Sequence, residues 1–270
     1  MLFPLIFWGV LDGPCICLRY CGTTKADRLE TIVAILNNVE HGDLRYNPLH
    51  GPQFGDAVNR MQLCIGEFGE AQRHHPIIFA PDENGQLIPM VLLGLERSEN
   101  LHFNGYDWGD SYIPAARRRG PFSLTVKTGP DGHAVDMLVE VDLDDSRVGS
   151  SDGVALFKTH GGNSPMLDMI SDALITLYDS VKGAPAFIQS VAALNLLREV
   201  QMDIDLGDGR SVTITGHHVI DEHVFANLNG TALEMLHRAG FLQPVVHALT
   251  SLTNIQHLID RKVARAGDVY

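Results

Sequence analysis

Apolar residues recur with two different spacings along the chain, and the change from one to the other falls near residue 165. Before it, short β-branched or alternating runs predict strands. The run 31–36, Thr-Ile-Val-Ala-Ile-Leu, predicts a buried strand, and Asn37-Asn38 supplies turn residues after it. Strands are predicted over 77–79 and 88–95, the second too apolar to be half exposed, and the short polar turn over 82–85 makes them an antiparallel pair. Between the 31–36 and 77–79 runs, 64–73 reads as a short helix ending at His74-His75-Pro76, because proline disfavours helical backbone in the residue before it. The stretch 100–122 then predicts a strand over 100–103, a turn over 105–109 carrying Trp108, and a new strand from Phe122, with Arg117, Arg118 and Arg119 in between. A strand over 135–143 follows the Pro130-Asp131-Gly132 turn.

Beyond residue 165 the period becomes helical. Leu167, Ile170, Leu174, Leu177, Tyr178 and Val181 mark a helix over 166–181, with Ser164 as N-cap, Pro165 in the first turn and Gly183 past its end. Phe187, Val191, Leu194 and Leu197 mark a second helix over 185–197. A hairpin over 202–215 turns at Asp208-Gly209. Asp221 caps a helix over 222–228, Thr231 caps one over 232–238 that stops at Gly240, and a long helix over 242–264 is kinked near 250–253. These elements predict an α+β fold: a mainly antiparallel sheet from the N-terminal half, packed by helices from the C-terminal half.

Composition narrows the partners. With 270 residues, 45% hydrophobic and 20% charged, the chain is long enough to bury a sizeable core. Its net charge of −13 repels nucleic acid and anionic membrane surfaces at long range, so no nucleic acid partner is expected. The apolar run 2–11 has no basic residue before it and is broken by Asp12-Gly13-Pro14, which argues against both a signal peptide and a membrane span. Residues 1–29 therefore read as an extension outside the fold, consistent with an upstream start codon, and 30–270 as one domain. Cys15, Cys17 and Cys21 crowd this extension and only Cys64 lies in the body, a distribution that points to a reducing, cytoplasmic setting rather than a disulfide scaffold.

Most of the chemical-looking motifs fail on context. Gly149-Ser150-Ser151-Asp152-Gly153 matches a nucleophile elbow in letters but lacks the strand before and the helix after. The Asp203/Asp205/Asp208 and Asp142/Asp144/Ser146 series miss the calcium-loop register. His217, His218, Asp221, Glu222 and His223 form the one dense His and carboxylate cluster, but a strand-to-helix junction divides it. No dinucleotide or P-loop motif occurs, and no cofactor, metal site or catalytic residue is assigned. What remains are binding candidates. Arg117, Arg118 and Arg119 beside Trp108 and Tyr112 form a candidate carboxylate or phosphate clamp, with two of the three arginines expected to pair internally and one to stay accessible. Arg45, with His41 and His50, belongs either to a binding loop or to a packed loop held by a contact of Asp43 with Arg45.

An ordered series of short motifs resembles the SapC family of surface-layer-related bacterial proteins. It comprises His41-Gly42-Asp43-Leu44-Arg45, Pro76-Ile77-Ile78-Phe79, Leu92-Leu93-Gly94-Leu95, Glu99-Asn100-Leu101, Trp108, Tyr112-Ile113-Pro114, Arg118, Pro121-Phe122, Gly153, Leu156-Phe157, Leu236-His237, Gly240 and Ser251-Leu252 with Asn254. The resemblance covers about 38–262; Gly120 stands where the family more often has a bulky residue before Pro-Phe. It implies an accessory role near outer-membrane receptors and surface layers and supplies no catalytic residues. Two readings follow: a cytoplasmic, non-catalytic accessory or binding protein with a protein partner and an exposed patch around Trp108, or an enzyme acting on a peptide or small molecule with His41, Arg45, Asp110 and His218 converging in one pocket.

Overall fold

A computed structural model describes residues 16–17, 32–128, 134–206 and 211–267. The expected extension 1–29 with its cysteine trio, apart from 16–17, and the Pro130-Asp131-Gly132 and Asp208-Gly209 turns lie outside the described residues. The fold is α+β, with antiparallel sheets mostly in the N-terminal half and helices in the C-terminal half. The chain forms two compact units, one from Met1–Tyr46 with Pro121–Ser164, the other from Asn47–Gly120 with Pro165–Tyr270.

In the first unit four antiparallel strands pair in the order Ile16–Cys17, Phe122–Thr128, Ala134–Asp142, Val33–Ile35. Register decides which face is apolar: Phe122 lies opposite Val141, Leu124 opposite Val139 and Val126 opposite Met137, so one face collects aliphatics while Ser123 and Glu140 share the other. The strand expected to be buried over 31–36 is instead the short outer strand 33–35, with Ile32 60% and Ile35 47% exposed. Ile35 faces Glu140 on the polar side, so apolar composition misread an outer strand as a central one. A second, three-stranded sheet pairs Arg45–Tyr46 with Val148–Gly149 and Val154–Ala155. Tyr46 is buried there, edge-on to Phe122 at 5.3 Å between ring centroids.

The second unit carries a five-stranded antiparallel sheet in the order Leu197–Asp205, Ser211–Ile220, Ile77–Pro81, Leu87–Leu92, Arg60–Gln62. Both of its faces are covered. Ile77 and Phe79 enter one hydrophobic cluster with Phe187, Val191, Leu236 and Val245, while Ile78 enters another with Leu101, Val219 and Leu258. That double burial is why the strands read as continuous apolar runs.

The helices differ from expectation at three places. The two helices predicted over 166–181 and 185–197 are one helix, Pro165–Ala193, which runs through Pro185. Proline removes one N–H there, but the buried stripe of Ile170, Leu174, Tyr178, Phe187 and Val191 continues past it and outweighs the lost bond. The chain leaves this helix through Asn195 at φ 53°, a left-handed conformation that asparagine tolerates. The cap before Gly230–Arg238 is Asn229 rather than Thr231, its side chain accepting from Ala232 N at 2.9 Å. The long terminal helix is two helices, Leu242–Ser251 and Asn254–Gly267, broken where a kink was expected.

Asp221 caps Glu222–Ala226 as the sequence predicts, accepting from His223 N at 2.9 Å and Val224 N at 3.1 Å. Asp221→Ala is expected to lower stability by about 1 kcal/mol with the fold intact, measured by urea denaturation. A change below about 0.3 kcal/mol would mean that the cap contributes nothing net.

Candidate functional site

Two buried carboxylates of the second unit organise the 100–120 stretch. Asp56 follows the turn Pro52–Phe54, where Gly55 takes φ 85°, and is fully buried. Its Oδ1 accepts from Trp108 Nε1 at 2.7 Å and from Arg117 Nε at 2.7 Å; its Oδ2 accepts from Arg117 Nη2 at 2.8 Å and from Gly51 N at 2.6 Å. Burial alone pushes this carboxyl up, but the Arg117 fork, the Gly51 amide and the Trp108 indole outweigh it and hold Asp56 below the usual carboxylate range. The backbone carbonyl of Asp56 also accepts from Asn100 Nδ2 at 2.9 Å, and Asn100 Oδ1 accepts from His102 N at 2.9 Å. Those two bonds make 100–103 a turn, not the strand its composition predicts.

Glu67 is the second anchor. Its Oε1 accepts from Tyr112 Oη at 2.6 Å and Ala115 N at 2.7 Å, and its Oε2 from Cys64 N at 2.9 Å. Arg118 lies 3.6 Å from Glu67, donates to Tyr112 Oη at 3.3 Å and sits 5.7 Å from the Tyr112 ring centroid. Burial first, and then the negative charge of Glu67, push both the Cys64 thiol and the Tyr112 hydroxyl up, so neither is set up as a nucleophile.

A third chain runs through His75 and His102, which are 0% and 5% exposed. His75 Nε2 lies 2.7 Å from the Tyr112 carbonyl, which only accepts, so Nε2 carries the proton. His75 Nδ1 is then an acceptor, and His102 Nε2, 3.2 Å away, must donate to it. His102 Nδ1 in turn accepts from Ser111 Oγ at 2.9 Å. This has the connectivity of nucleophile, base and orienting group. Its electrostatics are wrong for that role. Burial depresses His102 to about 2, with the cationic Arg261 and Arg265 opposing its protonation further, and burial depresses His75 to about 4. An imidazolium forming on His102 would meet cations and a neutral ring instead of a carboxylate, so it is a poor general base.

The residues singled out in sequence thus occupy different settings. Trp108 is 2% exposed, which overturns the expectation of an exposed Trp108 face: its indole N–H is spent on Asp56. Arg117 is buried against Asp56, Arg118 is half-buried against Glu67 and Tyr112, and Arg119 is half-buried. Arg45 lies in the first unit and donates to the Gly153 carbonyl at 3.0 Å, in place of the expected Asp43 contact. Of the proposed catalytic set, His41 and Arg45 belong to the first unit and Asp110 and His218 to the second. The 149–153 loop joins two short strands, with no helix after Ser151. Among the described residues no three His, Cys, Asp or Glu side chains gather as metal ligands, and no helix is long and apolar enough to cross a membrane.

Sequence reasoning missed Asp56 and Glu67. It also passed over Tyr106, 86% exposed at the tip of a turn whose geometry is fixed from both sides. Asn104 Oδ1 accepts from Tyr106 N and Asp107 N, each at 2.9 Å, while Asp107 Oδ1 accepts from Asn104 Nδ2 at 2.8 Å and Gly109 N at 2.9 Å. Beside this turn lies a cleft of about 630 Å³ lined by Ser98, Glu99, Asn100, Phe103, Asn104 and Arg265. The one signal for the turn was its Asn-Gly-Tyr-Asp composition.

Residues 36–258 match the sequence model described as SapC. No curated protein and no solved structure matches the chain.

Proposed function

The chain belongs to the SapC family, and from that premise we propose that it is a non-catalytic accessory or binding protein, linked to surface-layer or outer-membrane-receptor physiology, that engages a protein partner through the turn bearing Tyr106. The observation carrying this reading is the exposed Tyr106 ring on a turn already locked by Asn104 and Asp107. A large aromatic carried on a turn whose backbone is fixed before binding requires little backbone ordering on complex formation, and tyrosine is one of the residue types that most often dominate binding energy. Two buried networks serve the same end: Asp56 with Trp108 and Arg117, and Glu67 with Tyr112, tie down the stretch that carries the turn. Arg118 and Arg119 are the half-exposed arginines within a partner's reach, and Arg45 offers a contact on the first unit.

The test is affinity capture on immobilised protein from native lysate, with bound partners identified by mass spectrometry. Tyr106→Ala is expected to abolish capture of a partner that the unaltered protein retains, while its stability stays within about 0.5 kcal/mol. If a variant of undiminished stability captures the same partner equally well, Tyr106 is not the contact.

A further inference from the structure

We infer that the cleft beside Tyr106 recognises a carboxylate attached to an aromatic or other flat apolar group. The inference rests on the reading of the Tyr106 turn as a binding face and adds the chemistry of what enters.

The side-chain acceptors around the cleft are already in use. Glu99 Oε2 accepts from Leu95 N at 3.0 Å and Glu96 N at 3.2 Å, and its Oε1 from Lys262 Nζ at 2.6 Å. Asn100 spends its oxygen on His102 N and its amide on the Asp56 carbonyl. Asn104 spends both ends within the turn. Donors are different. Arg265 donates to the carbonyls of Asn100 at 2.9 Å and Phe103 at 2.5 Å, which leaves most of its five N–H groups unspent. No carboxylate pairs with it among the described residues, whereas the neighbouring Lys262 is paired with both Glu96 and Glu99. Ser98, exposed and with its backbone at φ 59°, adds a hydroxyl to the lining.

The cleft therefore offers spare donors and a guanidinium with no carboxylate partner among the described residues, in a protein whose net charge is −13. That combination selects an acceptor-rich anion, and the two carbonyl bonds of Arg265 already aim its fork before any ligand arrives. Phe103, largely buried, contributes an apolar edge to the cleft, and the exposed Tyr106 follows the lining residues Asn104 and Gly105 in the chain, so a flat group bonded to the anion has an aromatic neighbour to cover.

The experiment titrates the full chain with hippurate, hippuramide and phenyl phosphate, following the resonances of Asn104 and Tyr106 by NMR. Hippurate is expected to shift them saturably and to bind at least about tenfold more tightly than hippuramide, the increment of a charge-assisted bond. Arg265→Gln should reduce hippurate to the level of the amide. Ser98→Ala should weaken it about threefold, a variant that leaves the Arg265 anchors untouched. A heptapeptide ending in a free phenylalanine carboxylate, compared with its amidated form, separates a polypeptide C-terminus from a small acid; either source supports the inference if the amide binds more weakly. Equal binding of hippurate and hippuramide, absence of binding by both, or tighter binding of phenyl phosphate would overturn it using the unaltered protein alone. If Tyr106→Ala abolishes partner capture while hippurate fails to bind, the binding face stands and the carboxylate assignment falls.

Discussion

Replacing Asp56 with alanine is expected to cost about 3–5 kcal/mol of unfolding free energy. The carboxylate is fully buried and receives four donors, two of them from Arg117, whose side chain is 7% exposed. Its removal strands a buried guanidinium, the Trp108 indole N–H and the Gly51 amide together. Each stranded neutral donor costs on the order of 1–3 kcal/mol, and the unpaired charge more, with water entry limiting the sum. Asp56→Asn retains one acceptor and should fall between alanine and the native side chain. Pairing Asp56→Ala with Arg117→Met should recover most of the loss, because the cost lies in the orphaned charge and not in the absence of an attractive pair. Urea denaturation measures all three, and near-ultraviolet circular dichroism follows the Trp108 environment. A loss under about 1 kcal/mol for Asp56→Ala would show that the network is incidental to stability.

Acidification is expected to produce the second large effect, well above the range in which carboxylates protonate. His75 and His102 are buried neutral, with folded values of about 4 and about 2, against about 6.5 in the unfolded chain. Below pH 6.5 the unfolded state therefore binds more protons than the folded one, and stability falls as pH falls. Both histidines contribute down to about pH 4, and His102 alone continues below it. At pH 5 each has removed roughly 2 kcal/mol relative to neutral pH. His217, also depressed by burial, adds to the same slope. Asp56 does not, because its depressed value confines its loss to pH below the usual carboxylate range. Unfolding free energies measured from pH 7.5 to 4.5 should show this slope, and His102→Gln should remove close to half of the contribution from the pair. A flat profile across that interval would rule out a buried neutral pair.

Local signals made most of the fold legible and little of the site. The 77–81 and 87–92 pair, the strand from Phe122, the 211–220 hairpin arm and the Asp221 cap each depend on residues close in sequence, so period and turn chemistry located them. Pro185 misled because a burial stripe extending beyond it overrode a local breaker. The 100–103 turn misled because its conformation is set by Asn100 bonding to Asp56, 44 residues away. Asp56 itself sits in an ordinary Gly-rich loop, and its partners Trp108 and Arg117 lie 52 and 61 residues downstream. Nothing within a local window distinguishes it from a solvated aspartate. Arg117 was conspicuous as a charge that is costly to bury and Trp108 as a large aromatic whose indole N–H needs a partner when buried; the carboxylate that satisfies both was not. Tyr106 was visible only as one aromatic in an aromatic stretch, since exposure is a property of the packed molecule.

The order in which the sheet of the second unit is closed bears on how the chain leaves the ribosome. Ile77–Pro81 pairs at once with Leu87–Leu92, but its other neighbour is Ser211–Ile220, in which His218 pairs with Phe79 roughly 140 residues later. At about 5–20 residues per second, that edge stays open for about 7–28 s while the whole 121–164 segment and the 29-residue helix are synthesised. During the interval a nascent chain exposes the apolar backbone edge at Ile77, Ile78 and Phe79, so translation pauses or crowded polysomes should lower the yield of native protein more than they alter its final stability.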